Sequence, residues 1–251
     1  MSTDEQAVLA RNWFYNFELP SGQQTSSYLP AEAAAIHSTR LNMLSRCLQA
    51  HYGAEINTKT AIDLACHQGF FSHHLLKLGH RSVLGVDARQ EHIDDASLIC
   101  RAMQHNNAEF KRSDIFALDI APPAEQFDTV LMFGLLYHLE NPVGALRVAH
   151  ALTRDVCVVE TQVAPHMSGQ LDWGHYTFVK PMQGSFAVID ETEETHGPEM
   201  STLGICLAPS TQTLLWIMRK IGFRKVELLR PPEGSYEQIL HGKRVMVAGY
   251  V

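Results

Sequence analysis

"DLACHQGFFSHHL" occupies residues 63–75, and the fold of this chain can be read from it. It follows a short apolar run and continues into an amphipathic segment, a pattern typical of the turn between a first strand and a first helix. Nucleotide-binding sheets hold their ligand at such turns, usually with several glycines. Here Gly69 stands alone, and Ala65 and His67 occupy positions where glycines are common. The turn is therefore a degraded nucleotide loop, an ordinary strand–helix turn, or a loop for a ligand that requires one glycine.

Strands and helices alternate along the chain after this turn. Short β-branched runs predict strands, and apolar residues at helical spacing predict helices. The alternation predicts an α/β fold with a doubly wound, Rossmann-like sheet, mostly parallel, with a C-terminal antiparallel strand. The predicted strands are residues 60–65, 82–87, 108–114, 127–134, 156–161, 224–229 and 243–251, and the predicted helices are residues 31–52, 70–79, 89–104, 142–152 and 209–223.

Two segments fall outside this alternation. Residues 1–57 predict an N-terminal arm and helix that pack on the core, and residues 58–251 form the predicted main domain. Within that domain, residues 162–208 show no clear periodicity and hold an acidic patch. A stretch of this length is usually functional in a compact domain, so we expect an inserted lid. Because a lid of this length often meets a partner subunit, a homodimer is also expected.

Composition limits the classes of partner. The net charge is −7 and no lysine precedes Lys59, so the sequence has no basic stripe for a phosphate backbone and nucleic acid is an unlikely partner. The apolar runs are too short to span a membrane, and the N-terminus does not resemble a signal peptide. The five cysteines are scattered without a C-x-x-C pair, which favours reduced thiols. We therefore expect a cytoplasmic protein with no membrane partner.

Acidic residues end four of the five predicted parallel strands: Asp63, Asp87, Asp114 and Glu160. In an open parallel sheet, ligands bind beyond the carboxyl ends of the strands. A carboxylate after strand two accepts hydrogen bonds from ribose hydroxyls, and one after strand three can accept from the amine of adenine. With few glycines and no nearby cation, the loop suits a nucleoside joined to an amino acid by a sulfonium better than a pyrophosphate. Gly69 supplies one tight turn, and Asp63 supplies a negative charge for the ammonium group.

At this point the sequence resembles the class I S-adenosylmethionine-dependent methyltransferases. The resemblance covers residues 58–161 as an ordered series, and Ala65 and His67 depart from the usual Asp-x-Gly-x-Gly-x-Gly of the first motif. The motifs that carry it are "IDLACHQGFFS" (62–72), "VLGVDARQEHI" (83–93), "FKRSDI" (110–115), "FDTVLMFGLLYHLENPVGALR" (127–147) and "CVVET" (157–161).

The resemblance implies S-adenosylmethionine as cofactor and a set of residues that bind it. These residues are Asp63, Ala65, His67, Gly69, Phe70, Asp87, Ala88, Arg89, Ser113, Asp114, Ile115, Phe133 and Gly134.

Within the class, "WFYNFELPSG" (13–22), "ACHQGFFS" (65–72), "LLYHLENP" (135–142) and "VVET" (158–161) resemble the branch that includes tRNA uridine carboxymethyltransferases, which use carboxy-S-adenosylmethionine. That branch holds the cofactor carboxylate with cationic and tyrosine groups, and Tyr137 matches its tyrosine. Because the arm before residue 59 contains no lysine, we favour ordinary S-adenosylmethionine and a small-molecule acceptor, methylated at oxygen or nitrogen. RNA modification, including carboxymethyl transfer, is the alternative.

Three residues are candidates for the chemistry. His138 lies just past strand four, where the acceptor would meet the methyl group, and we predict that it is the general base; capping a helix is its alternative role. Tyr137 would orient the acceptor or pack beneath the lid. Glu160 would bind the acceptor or brace His138.

Aromatic residues of the arm and the lid are predicted to contact the acceptor. In the arm these are Trp13 and its neighbour Phe14, and in the lid they are Trp173, His175 and Tyr176. The 14 histidines lack metal-ligand spacing, so no metal is expected.

Two other classes of function remain open. A nicotinamide-dependent dehydrogenase would require glycines at positions 65 and 67, which are absent. A non-catalytic nucleoside-binding module would keep the cofactor residues without using His138 or Tyr137.

Overall fold

A seven-stranded sheet forms the centre of the computed structural model, which describes residues 1–118, 126–171, 180–196, 200–201 and 204–251. The strands in these ranges are β1 (Asn12–Trp13), β2 (Ser26–Ser27), β3 (Thr60–Leu64), β4 (Ser82–Asp87), β5 (Ala108–Arg112), β6 (Phe127–Phe133), β7 (Thr153–Gln162), β8 (Gln170–Leu171), β9 (Lys180–Pro181), β10 (Phe186–Asp190), β11 (Ile205–Pro209), β12 (Lys225–Leu228) and β13 (Arg244–Tyr250).

Helices cover both faces of this sheet. They are α1 (Thr3–Leu9), α2 (Ala31–Tyr52), α3 (Phe70–Leu78), α4 (Gln90–Ala102), α5 (Pro142–Leu152), α6 (Glu193–His196), α7 (Thr211–Ile221) and α8 (Glu237–Leu240), and short 3-10 turns lie at Gly53–Thr58, Ile115–Ala117 and Leu136–His138. None of the helices in the described ranges is both long and apolar enough to cross a membrane.

The strand order is β12-β13-β7-β6-β3-β4-β5. Strands β3 to β7 run parallel, and β13 pairs antiparallel with both β7 and β12. The predicted doubly wound sheet with a C-terminal antiparallel strand is confirmed. Because the order reverses between β3 and β6, their carboxyl ends flank the crevice where such sheets bind ligands.

Two apolar layers hold the helices against the sheet. Strand β6 is buried at every residue from Phe127 to Phe133, as expected for a central strand covered on both faces. One layer includes Leu44 and Leu48 of α2, and the other includes Leu146 of α5 and Leu214 of α7. The core therefore fixes β6, and with it the segment Leu136–His138 that follows.

The N-terminal arm is built into the first of these layers. Trp13 is fully buried, its indole Nε1 donates a hydrogen bond to the Val8 carbonyl at 2.9 Å, and its ring meets Phe17 edge-on at 5.7 Å between centroids. A buried indole whose N–H is already bonded cannot contact an acceptor, so the role expected of Trp13 is corrected to a core role. A division of the chain after residue 57 stays a prediction.

The expected lid contains ordered strands within its described part. Strands β10 and β11 form an antiparallel hairpin in which Val188 faces Leu207, and β8 pairs with β9. The sequence did not predict these strands, because residues on both sides of the hairpin are partly exposed and periodicity is weak.

Replacing Trp13 with alanine tests the structural role of the arm. We expect Trp13→Ala to lower the free energy of unfolding by about 3 to 5 kcal/mol, because it removes a fully buried aromatic ring. Trp216→Ala is the matched control, since Trp216 is 39% exposed on α7 and its loss should change stability by no more than about 0.5 kcal/mol. Urea unfolding followed by circular dichroism measures both, and equal effects would contradict the assignment.

Candidate active site

The loop between β3 and α3 keeps a glycine-like backbone without the glycines. Ala65 and His67 have φ angles of 59° and 51°, and Gly69 has a φ of 77°. Left-handed backbone costs a residue with a Cβ about 1 to 2 kcal/mol, so other contacts must hold the turn. The Cys66 N–H donates to the Val86 carbonyl at 2.9 Å, and the His67 N–H donates to the Asp87 carboxylate at 2.9 Å. The departures from the family motif thus change the side chains of the loop and preserve its path.

Gly69 is required by packing as well as by conformation. A Cβ at this position would lie 3.0 Å from the Phe110 ring and 3.1 Å from Ala96. This close approach places the start of α3 against Phe110 of β5 and Ala96 of α4, and it explains why residue 69 is a glycine.

Asp87 ends β4, and its carboxylate has three hydrogen-bond partners: two backbone N–H groups and one imidazole. Its Oδ2 accepts from the His67 N–H, while its Oδ1 accepts from the Arg89 N–H at 3.0 Å and pairs with His92 Nδ1 at 3.1 Å. Burial alone would raise the pKa of Asp87, but His92 and the two backbone N–H groups outweigh it and lower the pKa. The residue is therefore a fixed anion at the position where the resemblance places a ribose-binding carboxylate.

Asp63 lies in a very different environment from Asp87. It is 1% exposed, and its Oδ2 accepts a hydrogen bond from the Ser72 hydroxyl at 2.7 Å. Burial raises the pKa of Asp63 to about 7, and the Asp87 charge adds to the rise, against the lowering effect of Ser72. Its carboxyl group therefore changes charge near neutral pH, so a ligand cation could alter its protonation.

The other predicted cofactor residues lie around the same edge of the sheet. Ser113 donates its backbone N–H to the Asp87 carbonyl, and exposed Asp114 accepts the Phe116 N–H at 2.7 Å. Phe133 meets Phe71 edge-on at 4.8 Å, and the Gly134 N–H bonds the Glu160 carbonyl at 3.0 Å. Ile115 is half-buried and Ala88 is exposed. Their roles toward a cofactor stay predictions.

Aromatic rings of the arm cover the loop between β3 and α3 (residues 65–69), which is called the cofactor loop below. Tyr15 stacks on Phe70 with ring centroids 4.5 Å apart and planes 3° apart. Phe14 lies 5.1 Å from the His67 ring, and its backbone N–H donates to Gln68 at 2.9 Å. The sequence suggested Phe14 on this side but missed Tyr15, because alternation within the arm does not reveal which ring faces the loop.

Glu160 is the centre of a buried ion cluster. Its oxygens accept from Arg244 Nε at 2.7 Å and Arg244 Nη2 at 3.2 Å, and Arg40 Nη2 lies 2.9 Å away. Burial alone would raise the pKa of Glu160, but the two guanidinium groups lower it to about 2. A carboxylate held in this way accepts no proton near neutral pH. The expected contact between Glu160 and an acceptor therefore gives way to a structural role toward Arg40 and Arg244.

Tyr137 belongs to the same cluster. The Arg244 guanidinium lies 4.9 Å from the centre of its ring, and its hydroxyl accepts two long hydrogen bonds of 3.4 Å from the same group. The buried His37 ring lies nearby, and burial, together with the Arg40 charge, lowers its pKa to about 3. Among the described residues, neither ring nitrogen of His37 has a hydrogen-bond partner. The sequence missed Arg40, Arg244 and His37, since they are distant in the chain.

His138 pairs with a residue of the lid. Its Nδ1 lies 2.7 Å from Oε2 of Glu191, whose side chain is fully buried. The brace that we expected from Glu160 is thus supplied by Glu191. Burial alone would raise the pKa of Glu191, but His138 and the Ser201 N–H lower it. Glu191 lies 53 residues from His138 in the chain, in an acidic patch whose members look alike in the sequence.

Three predicted acceptor contacts, Trp173, His175 and Tyr176, lie outside the described residues. Among the residues that are described, no group of three His, Cys, Asp or Glu side chains is arranged to hold a metal ion.

Comparison with known protein families gives a match to the part of the chain that forms this site. The sequence profile described as "Methyltransferase domain" matches residues 57–175, which contain β3 to β7 and the loops at their carboxyl ends. This part of the chain matches a methyltransferase domain, in agreement with the resemblance to the class I S-adenosylmethionine-dependent methyltransferases. Solved structures of similar fold contain S-adenosylhomocysteine or S-adenosylmethionine, and S-adenosylmethionine as the cofactor of this chain stays a prediction.

Individual relatives are distant. A tRNA U34 carboxymethyltransferase from Trichodesmium erythraeum (strain IMS101) is 26% identical over 94 residues, which are 38% of this chain and 28% of that protein. The O-antigen chain terminator bifunctional methyltransferase/kinase WbdD of Escherichia coli is 30% identical over 147 residues, which are 55% of this chain and 20% of that protein. The chain thus spans less than a third of these relatives.

One solved structure has a similar fold. The N-terminal domain of EvdMO1, crystallised in the presence of S-adenosylhomocysteine and D-fucose, superposes with a TM-score of 0.67 at 20% identity. The match covers 99% of this chain and 95% of that domain.

The role of Asp87 is tested by cofactor affinity. We expect Asp87→Asn to weaken S-adenosylhomocysteine binding by about 10- to 100-fold, because hydrogen bonds to a charged group contribute roughly 1.5 to 3 kcal/mol. Isothermal titration calorimetry measures the affinity, and Asp94→Asn, an exposed carboxylate on α4, is the control. Unchanged affinity in Asp87→Asn would remove this residue from the ribose.

The protonation of Asp63 predicts a pH dependence of cofactor binding. The carboxyl keeps its proton below a pKa of about 7, and only the charged form attracts the cofactor ammonium. Affinity for S-adenosylhomocysteine should therefore rise with pH, by up to about tenfold per unit below that pKa, and level off above it. Titrations across this range check the wild type against Asp63→Asn, whose affinity should be independent of pH. A flat wild-type profile would contradict the contact.

Proposed function

We propose that the protein transfers the methyl group of S-adenosylmethionine to a small-molecule acceptor, at oxygen or nitrogen, with His138 as general base. The observation that carries the proposal is that two segments outside the sheet cover its carboxyl edge. Phe14 and Tyr15 of the arm contact His67 of the cofactor loop, while Glu191 of the lid contacts His138. A covered edge suits a small acceptor that is enclosed during the reaction.

Enclosure fits the chemistry of the reaction. Methyl transfer from a sulfonium is an in-line displacement in which positive charge is consumed, so alignment and exclusion of water contribute most of the acceleration. An acceptor hydroxyl or amine must also lose a proton, and a neutral imidazole is suited to take it. His138 follows β6, beside the crevice where the cofactor binds, and its side chain is 17% exposed.

Similar proteins support a small acceptor. The EvdMO1 domain was crystallised in the presence of D-fucose, and WbdD is described as an O-antigen chain terminator. D-fucose is a small sugar whose hydroxyl groups are nucleophiles available for methylation, which supports a small acceptor.

A second function is favoured by the ion cluster. Arg40 and Arg244 share the single carboxylate of Glu160, so the buried group carries one more positive charge than negative. The carboxylate that carboxy-S-adenosylmethionine carries on its transferred carbon, and that S-adenosylmethionine lacks there, would compensate that charge beside Tyr137. Arg40 lies on α2, so the part of the chain before residue 59 supplies a cation at this position although it contains no lysine. Carboxymethyl transfer to RNA, the function named for the Trichodesmium relative, is therefore the alternative.

Label transfer from S-adenosylmethionine separates these functions. Cell extract is divided into a small-molecule filtrate and total RNA, and each is incubated with the protein and methyl-labelled S-adenosylmethionine. We expect label in the filtrate. The rate of label transfer should fall by about 100-fold or more in His138→Ala, whereas the affinity of this variant for S-adenosylhomocysteine should be unchanged. His241→Ala is the control histidine, in the exposed turn after α8.

Mass spectrometry of the ligand that co-purifies with the protein identifies the donor. S-adenosylmethionine or S-adenosylhomocysteine supports the first proposal. Carboxy-S-adenosylmethionine, together with label transfer to RNA when it is the donor, supports the alternative. A nicotinamide dinucleotide would overturn both.

A further inference from the structure

We infer that Glu191 is a positioning residue for His138, so that the lid supplies part of the apparatus that removes the acceptor proton. The inference rests on the proposed function, in which His138 is the base. It assigns a role to a residue of the acidic patch in the lid that the sequence did not distinguish from its neighbours.

The contact is short and well enclosed. Oε2 of Glu191 lies 2.7 Å from His138 Nδ1 and accepts the Ser201 N–H at 2.9 Å. The Glu191 side chain is fully buried, and a buried carboxylate is costly unless hydrogen-bonded partners compensate it. His138 and Ser201 provide that compensation, which makes the contact a stable part of the structure.

The chemistry of the pair determines which ring nitrogen carries hydrogen. An ionised carboxylate only accepts hydrogen bonds, so Nδ1 of a neutral His138 must be the protonated nitrogen. The lone pair then lies on Nε2, which becomes the atom that takes the acceptor proton. After that transfer the charged ring is stabilised by Glu191, in the manner of the carboxylate of a catalytic triad.

The lid holds Glu191 in place through contacts on both sides. The Glu191 N–H donates to the Gly204 carbonyl at 2.9 Å, at the end of the β10–β11 hairpin. The Leu207 N–H of β11 donates to the Leu139 carbonyl at 3.0 Å, next to His138. Arg89 Nη2, at the start of α4, donates to the Met200 carbonyl at 2.8 Å. The contacts that hold this part of the lid against the sheet therefore also position Glu191 at His138.

Among the described residues, two further groups lie beside this pair. The Tyr137 ring lies 4.0 Å from the His138 ring, and the Cys206 thiol lies against Glu191. Burial raises the pKa of Cys206 to about 11, so the thiol is neutral. Asp190 precedes Glu191 and is exposed, so it provides a matched carboxylate control in the same segment.

Nitrogen-15 spectra of the histidine rings test the inference directly. In protein labelled with 15N-histidine, the His138 signals, assigned by their loss in His138→Gln, should show a protonated Nδ1 and an unprotonated Nε2 at pH 8. In Glu191→Gln the titration midpoint of this ring should fall by about 1 unit or more, because the neighbouring negative charge is lost. Asp190→Asn should leave both the tautomer and the midpoint unchanged, and Glu191→Asp should restore part of the shift.

A wild-type His138 protonated on Nε2 would overturn the inference without any variant, and so would an unchanged midpoint in Glu191→Gln. Titration of each sample with S-adenosylhomocysteine reports separately on the proposed function. Loss of cofactor binding in the wild type would reject that function, whereas a wrong tautomer with normal cofactor binding would reject only the role of Glu191.

Discussion

The cost of burying a carboxylate governs the carboxyl edge of this sheet. A buried charge must be neutralised, hydrogen-bonded or paired, and each acidic residue near the edge meets this requirement differently. Asp63 meets it through a raised pKa and one hydroxyl donor, and Asp87 through two backbone N–H groups and an imidazole. Glu160 pairs with two guanidinium groups, and Glu191 pairs with His138. Chemically similar side chains thereby acquire different tasks.

Several of these partners come from outside the parallel strands. Arg40 reaches Glu160 from helix α2, and Glu191 reaches His138 from the lid. The aromatic rings of Phe14 and Tyr15 likewise cover the cofactor loop from the arm. In the proposed function the sheet binds the cofactor, whereas the arm and lid surround the acceptor. Acceptor specificity is therefore expected to reside in those two segments.

The cofactor loop illustrates how a motif can lose its residues and keep its geometry. Ala65 and His67 adopt positive φ angles that glycine would adopt without strain. Hydrogen bonds from the loop to Val86 and Asp87 hold that conformation. The His67 ring, which a glycine would lack, lies 3.9 Å from the His92 ring and 5.1 Å from Phe14. The substitution thus links the loop to the arm and to α4.

The sequence by itself determined the order of strands and helices, the parallel sheet and the placement of acidic residues at strand ends. These features depend on local periodicity and on the direction of each strand, and both can be deduced from residues that are consecutive in the chain. It did not determine that Trp13 is buried, that Glu160 pairs with arginines, or that Glu191 braces His138. Those contacts join segments far apart in the chain, and many charged residues had a similar local pattern. Only the packed tertiary structure decided among them, because burial makes an unpaired charge costly and selects the partner that can reach it.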